Sequence, residues 1–264
     1  MNAVPHIDRA AETQTLLGLL AELQAEFAAN TALPARMGYV EMHFSEVLHH
    51  RRMVGVDMIT PHIHGRVLEW GCHHAVDSCI HRMRHGDGVE LYGCDIVPDD
   101  TYKPFHRFAR LHYTCLTHPW ELDYPDAFFD VVTSGGVLEH VPDDARSVGE
   151  IFRILKPGGE FVITFLPNRY SYTEALQRRF GNATHDRLYS IGSARKMLEA
   201  VGFRLTVARP YLMMPTVLNG FPARVRTAYE RCNRPVWALN AVLERLWPLN
   251  LLSSNLMLVA RKPE

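Results

Sequence analysis

The spacing of hydrophobic and polar positions changes near residue 66, and this change predicts how the chain is organised. Within the first 30 residues, leucines and a phenylalanine recur at helical spacing, at Leu16, Leu19, Leu20, Leu23 and Phe27. This pattern predicts an amphipathic helix. A less regular stretch follows, and from residue 66 short apolar runs alternate with helical patterns. We therefore predict an N-terminal helical segment over residues 1–60 and an α/β domain over residues 61–264.

The alternating region predicts seven strands with helices between them. The strands fall at residues 67–70, 89–94, 112–116, 129–133, 160–165, 203–208 and 256–260, and the helices at 76–83, 101–109, 144–155 and 194–201. We expect Pro157, Gly158 and Gly159 to end the third helix, and Ser193 and Gly202 to cap the fourth. Alternation of this kind is typical of a mostly parallel sheet covered by helices on both faces.

The segment between the last two predicted strands is longer than its connection requires. It runs for about 45 residues where a tight hairpin would suffice. Helical patterns near 224–232 and 236–247 predict a helical cap inserted over about 212–250. Arginines and two tryptophans, Trp237 and Trp247, are concentrated there. We expect residues 216–247 to close over a substrate or to make a peripheral contact with a membrane.

Composition narrows the class of protein. The chain is 47 % hydrophobic and 22 % charged with a formal net charge of −1, so a sizeable core can form and no basic excess points to nucleic acid. The five cysteines form no C-x-x-C pair, which favours reduced thiols. No signal-peptide pattern and no apolar run of roughly 20 residues is present, so we expect a cytoplasmic protein.

Two residues at the ends of the first two predicted strands indicate a nucleoside-containing cofactor. Gly71 directly follows the first strand, where a glycine allows a tight turn and a close approach to a ligand. Asp95 ends the second strand, 24 residues later, and a carboxylate there can accept hydrogen bonds from two ribose hydroxyls. NAD-binding folds use the same geometry, so these two residues alone leave the cofactor open.

Further segments resemble the class I S-adenosylmethionine (SAM)-dependent methyltransferases. Residues 67–75 are similar to the family's V-L-E/D-x-G-C-G-x-G motif, 92–96 to its second motif, 123–132 to "PF-pdgsFDvV", 136–141 to "vlEHv", 153–159 to "rvLKPGG" and 198–203 to "LeeaGF". The segments follow the family's order from about residue 66 to residue 203. The resemblance implies a Rossmann-like sheet of seven strands with an antiparallel last strand, and SAM as the cofactor.

Carried over residue by residue, the resemblance implies a set of SAM-binding residues. They are Glu69, Gly71, Cys72, His73, Ala75, Asp95, Ile96, His118, Trp120 and Gly135. His73 and Ala75 stand where the family has glycines, so either the loop takes a different path, or His73 contacts the methionine end of SAM, or binding is weak. His118 aligns with the acid that often reaches the adenine amine in the family, and Trp120 is expected to stack on adenine.

The resemblance also implies an acceptor side next to the loop after the fourth strand. We predict His140 as general base or acceptor contact, with Glu139 beside it. Residues predicted to contact the acceptor are Asn168, His185, Arg187 and Tyr189. The N/D-P-P-Y/W motif of amino-group methyltransferases is missing from the sequence. This favours an oxygen acceptor on a small molecule, a sugar or a lipid-linked glycan.

Other classes of function remain open at this point. A methyltransferase-like protein that binds SAM without turnover would explain His73 and Ala75. An NAD-dependent oxidoreductase is disfavoured because residues 71–76 do not supply G-x-G-x-x-G. A metal site built from His62 and His64 is disfavoured too, because they precede the first strand at the end away from the cofactor loop, so we predict no metal.

Overall fold

The computed structural model describes residues 8–29, 34–118, 120–181, 185–216, 218 and 223–264. Seven strands form one sheet in the spatial order β3-β2-β1-β4-β5-β7-β6. In chain order they are β1 (Gly65–Trp70), β2 (Val89–Asp95), β3 (His112–Cys115), β4 (Phe129–Gly135), β5 (Leu155–Pro167), β6 (Arg204–Tyr211) and β7 (Asn255–Arg261). Only β7 runs antiparallel to its neighbours, as the sequence predicted.

Ten helices surround this sheet in the described part of the chain. They are α1 (Arg9–Ala28), α2 (Pro34–His43), α3 (Glu46–Ile59), α4 (Val76–His85), α5 (Lys103–Ala109), α6 (Asp144–Ile154), α7 (Tyr172–Arg179), α8 (Ile191–Val201), α9 (Ala223–Arg231) and α10 (Asn233–Leu243). No helix in these ranges is long and apolar enough to cross a membrane.

The strand order reverses at β1, which pairs with β2 on one side and with β4 on the other. Val67 is in register with Leu91 of β2 and with Val131 of β4. The connections after β1 and β4 therefore leave the sheet on opposite sides of a crevice at its carboxyl edge. In open α/β sheets this is where ligands bind.

The N-terminal helices pack onto the sheet domain instead of standing apart from it. Leucines of α1, among them Leu16 and Leu23, are buried together with Ile80 of α4 and Phe105 of α5. Arg84 of α4 donates two hydrogen bonds, of 2.6 and 2.8 Å, to the buried Glu12 carboxylate. A buried charge of this kind is tolerated because its partner satisfies it. This packing holds α3 against the carboxyl edge of the sheet.

Three local predictions were wrong. The stretch after α1 contains the helices α2 and α3, which the prediction of a helical segment over residues 1–60 did not delimit, and α7 follows β5, where no helix was predicted. The strand β5 begins at Leu155, because Pro157–Gly159 continue the chain into the sheet with Gly158 at a φ of 75°. The helix α8 begins at Ile191, where the Ser190 side chain accepts from the Ser193 amide, so Ser190 is the cap.

The connection between β6 and β7 contains α9 and α10, at the positions of the two predicted cap helices. The polar side chains of α10 attach it to the rest of the fold. Asn240 Oδ1 accepts from the Met214 amide at 2.9 Å, and Asn233 Nδ2 donates to Glu46 of α3 at 2.6 Å. The Trp237 ring lies 4.1 Å from the ring of His50, also in α3.

Candidate functional site

The turn after β1 keeps a left-handed backbone at all three positions where the methyltransferase motif has glycines. The φ values are 72° at Gly71, 48° at His73 and 55° at Ala75. The amides of Gly71 and Cys72 both donate to the Cys94 carbonyl of β2, at 2.8 and 3.2 Å. Left-handed φ costs a residue with a Cβ about 1–2 kcal/mol. The turn therefore keeps these left-handed φ values despite the side chains of His73 and Ala75.

Asp95 lies at the end of β2 with its carboxylate fixed by backbone amides. Its Oδ2 accepts from the His73 amide at 2.8 Å, and its Oδ1 accepts from the Ile96 amide at 2.7 Å. An ionised carboxylate has about four lone-pair positions, so each oxygen can accept one more hydrogen bond. The arrangement presents a preorganised acceptor to a pair of vicinal hydroxyls.

The imidazole of His73 lies in a cluster of aromatic side chains behind the turn. Its Nε2 is 3.0 Å from the Tyr102 hydroxyl, and its Nδ1 is 2.9 Å from Nδ1 of His74. Burial lowers the pKa of His74 well below its usual value, with further lowering by the nearby Arg52. His73 still lines the crevice, so the ring is held at the wall of the cavity by its neighbours.

A cavity of about 520 Å³ fills the crevice between these elements. Its size is within the usual range for a small-molecule site. Predicted SAM-binding residues that line it are Glu69, Gly71, Cys72, His73, Asp95, Ile96 and Gly135. Ile96 is 67 % exposed at its rim, an apolar side chain suited to cover a planar ring. Ala75 is buried and instead forms the N-terminal cap position of α4.

An ion pair that the sequence analysis missed borders the same cavity. Arg52 of α3 donates to Asp77 of α4 at 2.7 Å, and both residues line the wall. Nearby, Oε2 of Glu69 accepts from the amide and hydroxyl of Ser78 at 3.0 and 2.5 Å. Burial, and then the charge of Asp77, raise the pKa of Glu69. No sequence signal identified Arg52, because only tertiary packing brings α3 to the crevice.

A second, smaller cavity of about 220 Å³ adjoins the first. The two share Gly135, Gly136 and His140 in their walls. The second cavity adds Glu139 from the loop after β4 and His185 from the segment before α8. The structure thus brings together both predicted catalytic residues and one of the predicted acceptor contacts, at the place where the cavities meet.

These three side chains form a compact polar group in which Glu139 is buried, His185 is partly buried and His140 is exposed. Ligand-type atoms of Glu139, His140 and His185 all lie within 4.8 Å of one another, a spacing that a metal ion could bridge. The Glu139 side chain is only 2 % exposed, and its Oε2 has no hydrogen-bond partner in the described part of the chain. Burial raises the pKa of Glu139 to about 7. Burial, and then the charge of His185, lower the pKa of His140. The positive charge of Arg51 acts on Glu139 in the same cavity.

A carboxylate of α7 fixes the ring of His185, which lies in the segment before α8. Nδ1 of His185 lies 2.7 Å from Oε1 of Glu174, a residue of α7 that is itself buried. A histidine oriented in this way has a fixed ring position, which is what an acceptor contact requires.

Three predicted acceptor contacts have structural roles instead. Arg187 donates to the carbonyls of Val141 and Pro142, at 2.8 and 3.2 Å, and so fixes the loop after β4. The hydroxyl of the buried Tyr189 donates to Asp144 at 2.8 Å. Asn168 donates to two backbone carbonyls ahead of β7. Arg187 and Tyr189 support the loop that carries Glu139 and His140, Asn168 fixes the segment before β7, and none of the three lines either cavity.

The predicted adenine contacts His118 and Trp120 also lie outside both cavity walls. Their rings stack on each other at 5.9 Å, and the guanidinium of Arg146 lies 5.4 Å from the Trp120 ring. Leu116, at the end of β3, lines the cavity in their place. The described residues of the cap, 212–216, 218 and 223–250, line neither cavity, so the expected closure over the acceptor is not what the structure shows.

The fold and this site define a nucleoside-cofactor enzyme of the methyltransferase type, and comparison with known proteins agrees. The family model of the methyltransferase domain matches residues 20–207, and the chain belongs to that family. It is a class I SAM-dependent methyltransferase.

Individual relatives are more distant. A probable SAM-dependent methyltransferase from Mycolicibacterium smegmatis is 32 % identical over 53 % of this chain, which spans about half (52 %) of that protein. The ubiquinone biosynthesis O-methyltransferase of Aeromonas salmonicida is 29 % identical over 67 % of this chain and 80 % of its own length. The solved structure of a SAM-dependent methyltransferase from Thermotoga maritima shares the fold, with a TM-score of 0.58 and 15 % identity over 86 % of this chain and 96 % of that one.

The residues of the larger cavity fit SAM. Asp95 offers acceptor positions for the ribose hydroxyls, and the exposed Ile96 offers an apolar surface for adenine. At Gly71 an added Cβ would lie 2.4 Å from Cγ2 of Val137, which itself lines the cavity, so the turn has no room for a side chain at this position. The Arg52–Asp77 pair supplies charges of both signs for the amino and carboxylate groups of the methionine moiety, and Glu69 adds a carboxyl group to the same wall.

Proposed function

We propose that this enzyme methylates an oxygen of a small-molecule, sugar or lipid-linked acceptor bound in the second cavity. One observation carries the proposal. The polar group of Glu139, His140 and His185 lines a separate small cavity that opens into the cofactor cavity at Gly135 and Gly136. A pocket in this position holds an acceptor next to the end of the cofactor that carries the reactive group.

Bound SAM supplies an electrophilic methyl group on a sulfonium sulfur. The chain's own residues then have to place the acceptor oxygen and take up its proton. We assign proton uptake to Nε2 of His140, which lies 3.8 Å from Oε1 of Glu139. Burial, and then the charge of His185, lower the pKa of His140, which favours the neutral imidazole that can accept a proton. The neighbouring carboxyl group of Glu139 stabilises the charge that develops on the ring.

Two further points favour oxygen over nitrogen as the methylated atom. The chain has Leu166-Pro167-Asn168-Arg169-Tyr170 at the end of β5, without an N/D-P-P-Y/W motif. In the structure, Asn168 is fully engaged with backbone groups and is not directed at an acceptor. The relative from Aeromonas salmonicida, whose name assigns it O-methyl transfer in ubiquinone biosynthesis, is consistent with this acceptor class.

The proposal is tested by measuring release of S-adenosylhomocysteine with phenols, sugars and lipid-linked glycans as acceptors. The variant His140→Asn should lose roughly 10²–10⁴-fold in kcat while its affinity for S-adenosylhomocysteine stays unchanged. His64→Asn is a matched control, since His64 is exposed and lines neither cavity. Wild-type turnover in His140→Asn would remove the assigned role, and firm cofactor binding without turnover on any acceptor would favour a protein that only binds SAM.

A further inference from the structure

The helix α10 packs on the protein through Trp237 and through buried polar side chains, and it exposes apolar side chains to solvent. Its protein-facing side carries the buried polar residues Asn233 and Asn240, which hydrogen-bond to Glu46 and to the Met214 amide. Its solvent side carries Leu239 and Val242, which are 47 % and 56 % exposed. Buried polar and exposed apolar side chains on one short helix are informative, because folding alone favours the opposite arrangement.

The exposed apolar surface continues beyond the helix into the turn that leads to β7. We name this surface the apolar stripe, and it consists of Leu239, Val242, Leu246, Trp247, Leu249, Leu251 and Leu252. Leu239 and Val242 are three residues apart in α10 and lie on one side of it, and Leu246 follows the end of the helix. Trp247 is 79 % exposed, the highest value among the large exposed apolar side chains described. Tryptophan has an apolar ring system with one polar N–H, which suits it to the boundary between lipid and water.

The charge around the stripe identifies what it would contact. Residues 223–252 contain five arginines and two glutamates, whereas the whole chain has a net charge of −1. Arg231, Arg234 and Arg245 are exposed, while one of the two glutamates, Glu244, is partly buried and accepts hydrogen bonds from Asn240 and the Leu212 amide. Arginine pairs well with phosphate groups. A second copy of the chain fits less well, since a symmetric contact would place like charges opposite each other.

We propose that the apolar stripe and its arginines dock this enzyme on the surface of an anionic lipid bilayer. The proposal concerns where the enzyme works and rests on the proposed function only for the class of acceptor, one that a bilayer can deliver. The helix α10 contacts α3 through the pairs Asn233–Glu46 and Trp237–His50. The helix α3 in turn lines the second cavity, with Leu48, Arg51 and Arg52. Docking through α10 therefore brings the acceptor cavity within one helix of the bilayer.

The test is flotation of the full chain with vesicles of phosphatidylcholine alone and of phosphatidylcholine mixed with phosphatidylglycerol. Wild type should bind the mixed vesicles and should be released by salt. Trp247→Ala should weaken binding roughly tenfold, and Arg234→Gln and Arg245→Gln about fivefold each. Leu17→Ala is the matched control, an exposed leucine of α1 whose loss should leave vesicle binding unchanged.

The measurement needs no acceptor and no turnover, so its result is independent of the proposed reaction. Binding of S-adenosylhomocysteine at wild-type affinity shows that each variant is folded. Failure of wild type to bind either kind of vesicle would overturn the proposal. So would a dimer in light scattering that dissociates in Trp247→Ala without any vesicle binding, because the stripe would then be an interface between two copies.

Discussion

Replacing Gly71 by alanine tests whether the turn after β1 is the cofactor cradle. Gly71 has a φ of 72°, and a Cβ added there would lie 2.4 Å from Cγ2 and 2.9 Å from Cγ1 of Val137. Gly181 has a φ of 71°, and among the described residues, its chain neighbours aside, no atom lies within 4 Å of an added Cβ, so Gly181→Ala carries the backbone cost alone. We expect Gly181→Ala to lower the free energy of unfolding by about 1–2 kcal/mol. Gly71→Ala should lower it by about 2–5 kcal/mol, since overpacking is added.

The two variants should also differ in cofactor affinity. Relief of the contact with Val137 requires the turn to move, and this displaces the amides that bind the Cys94 carbonyl and the Asp95 carboxylate. We expect titration calorimetry to show at least tenfold weaker binding of S-adenosylhomocysteine to Gly71→Ala, about 1.4 kcal/mol or more, and unchanged binding to Gly181→Ala. Adding Val137→Ala removes the two nearest atoms and leaves one at 3.2 Å, so the double variant should recover most of the affinity. Wild-type affinity in Gly71→Ala would refute this account of the turn.

Three further predictions concern the same cavity and the helix beside it. Asp95→Asn should bind S-adenosylhomocysteine with about 1–3 kcal/mol less free energy in calorimetry, because ribose hydroxyls lose a charged acceptor, and equal affinity would remove the ribose role. Because the pKa of Glu69 is raised, its contribution to stability is present at low pH and is lost as the pH rises through that pKa. In thermal scans, Glu69→Gln should therefore gain in Tm over wild type towards alkaline pH. A difference in Tm that does not change with pH would contradict this prediction. Gly55→Ala places a Cβ 2.4 Å from Phe165 in β5 and should destabilise the fold in urea titrations. At Gly149 no atom of the described residues lies within 4 Å of an added Cβ, so Gly149→Ala should be neutral or stabilising by up to about 1 kcal/mol. Equal effects of the two variants would show that α3 can shift freely.

The sequence could place Gly71 and Asp95 because their positions are local, whereas the predicted adenine contacts His118 and Trp120 line neither cavity. Gly71 and Asp95 follow two strands that pair in register, so their positions in the chain also fix their positions at the edge of the sheet. The same holds for Glu139 and His140, which directly follow β4. The effect of His73 and Ala75 could not be predicted, because three alternatives fit the sequence, and the structure places both residues at positive φ in a turn that hydrogen-bonds to Cys94.

The rest of the site depends on contacts between distant segments, which spacing does not reveal. Arg52 reaches the cavity only because α1 and α3 pack against α4, and the polarity of residues 46–57 gave no hint of a helix that lines a crevice. Arg187 and Tyr189 illustrate the opposite error. A polar side chain in a loop near the active site can serve a ligand or a backbone carbonyl, and here the carbonyls after Leu138 are its partners.

A crystal structure with S-adenosylhomocysteine tests the central claim most directly. The account predicts the ribose hydroxyls on the carboxylate of Asp95, the adenine against Ile96, and the sulfur directed at the opening lined by Gly135, Gly136 and His140. The acceptor cavity with Glu139 and His185 would then lie in line with the position of the transferable methyl group. A ligand bound outside the crevice at the carboxyl edge of the sheet, or one whose sulfur is turned away from His140, would contradict the account.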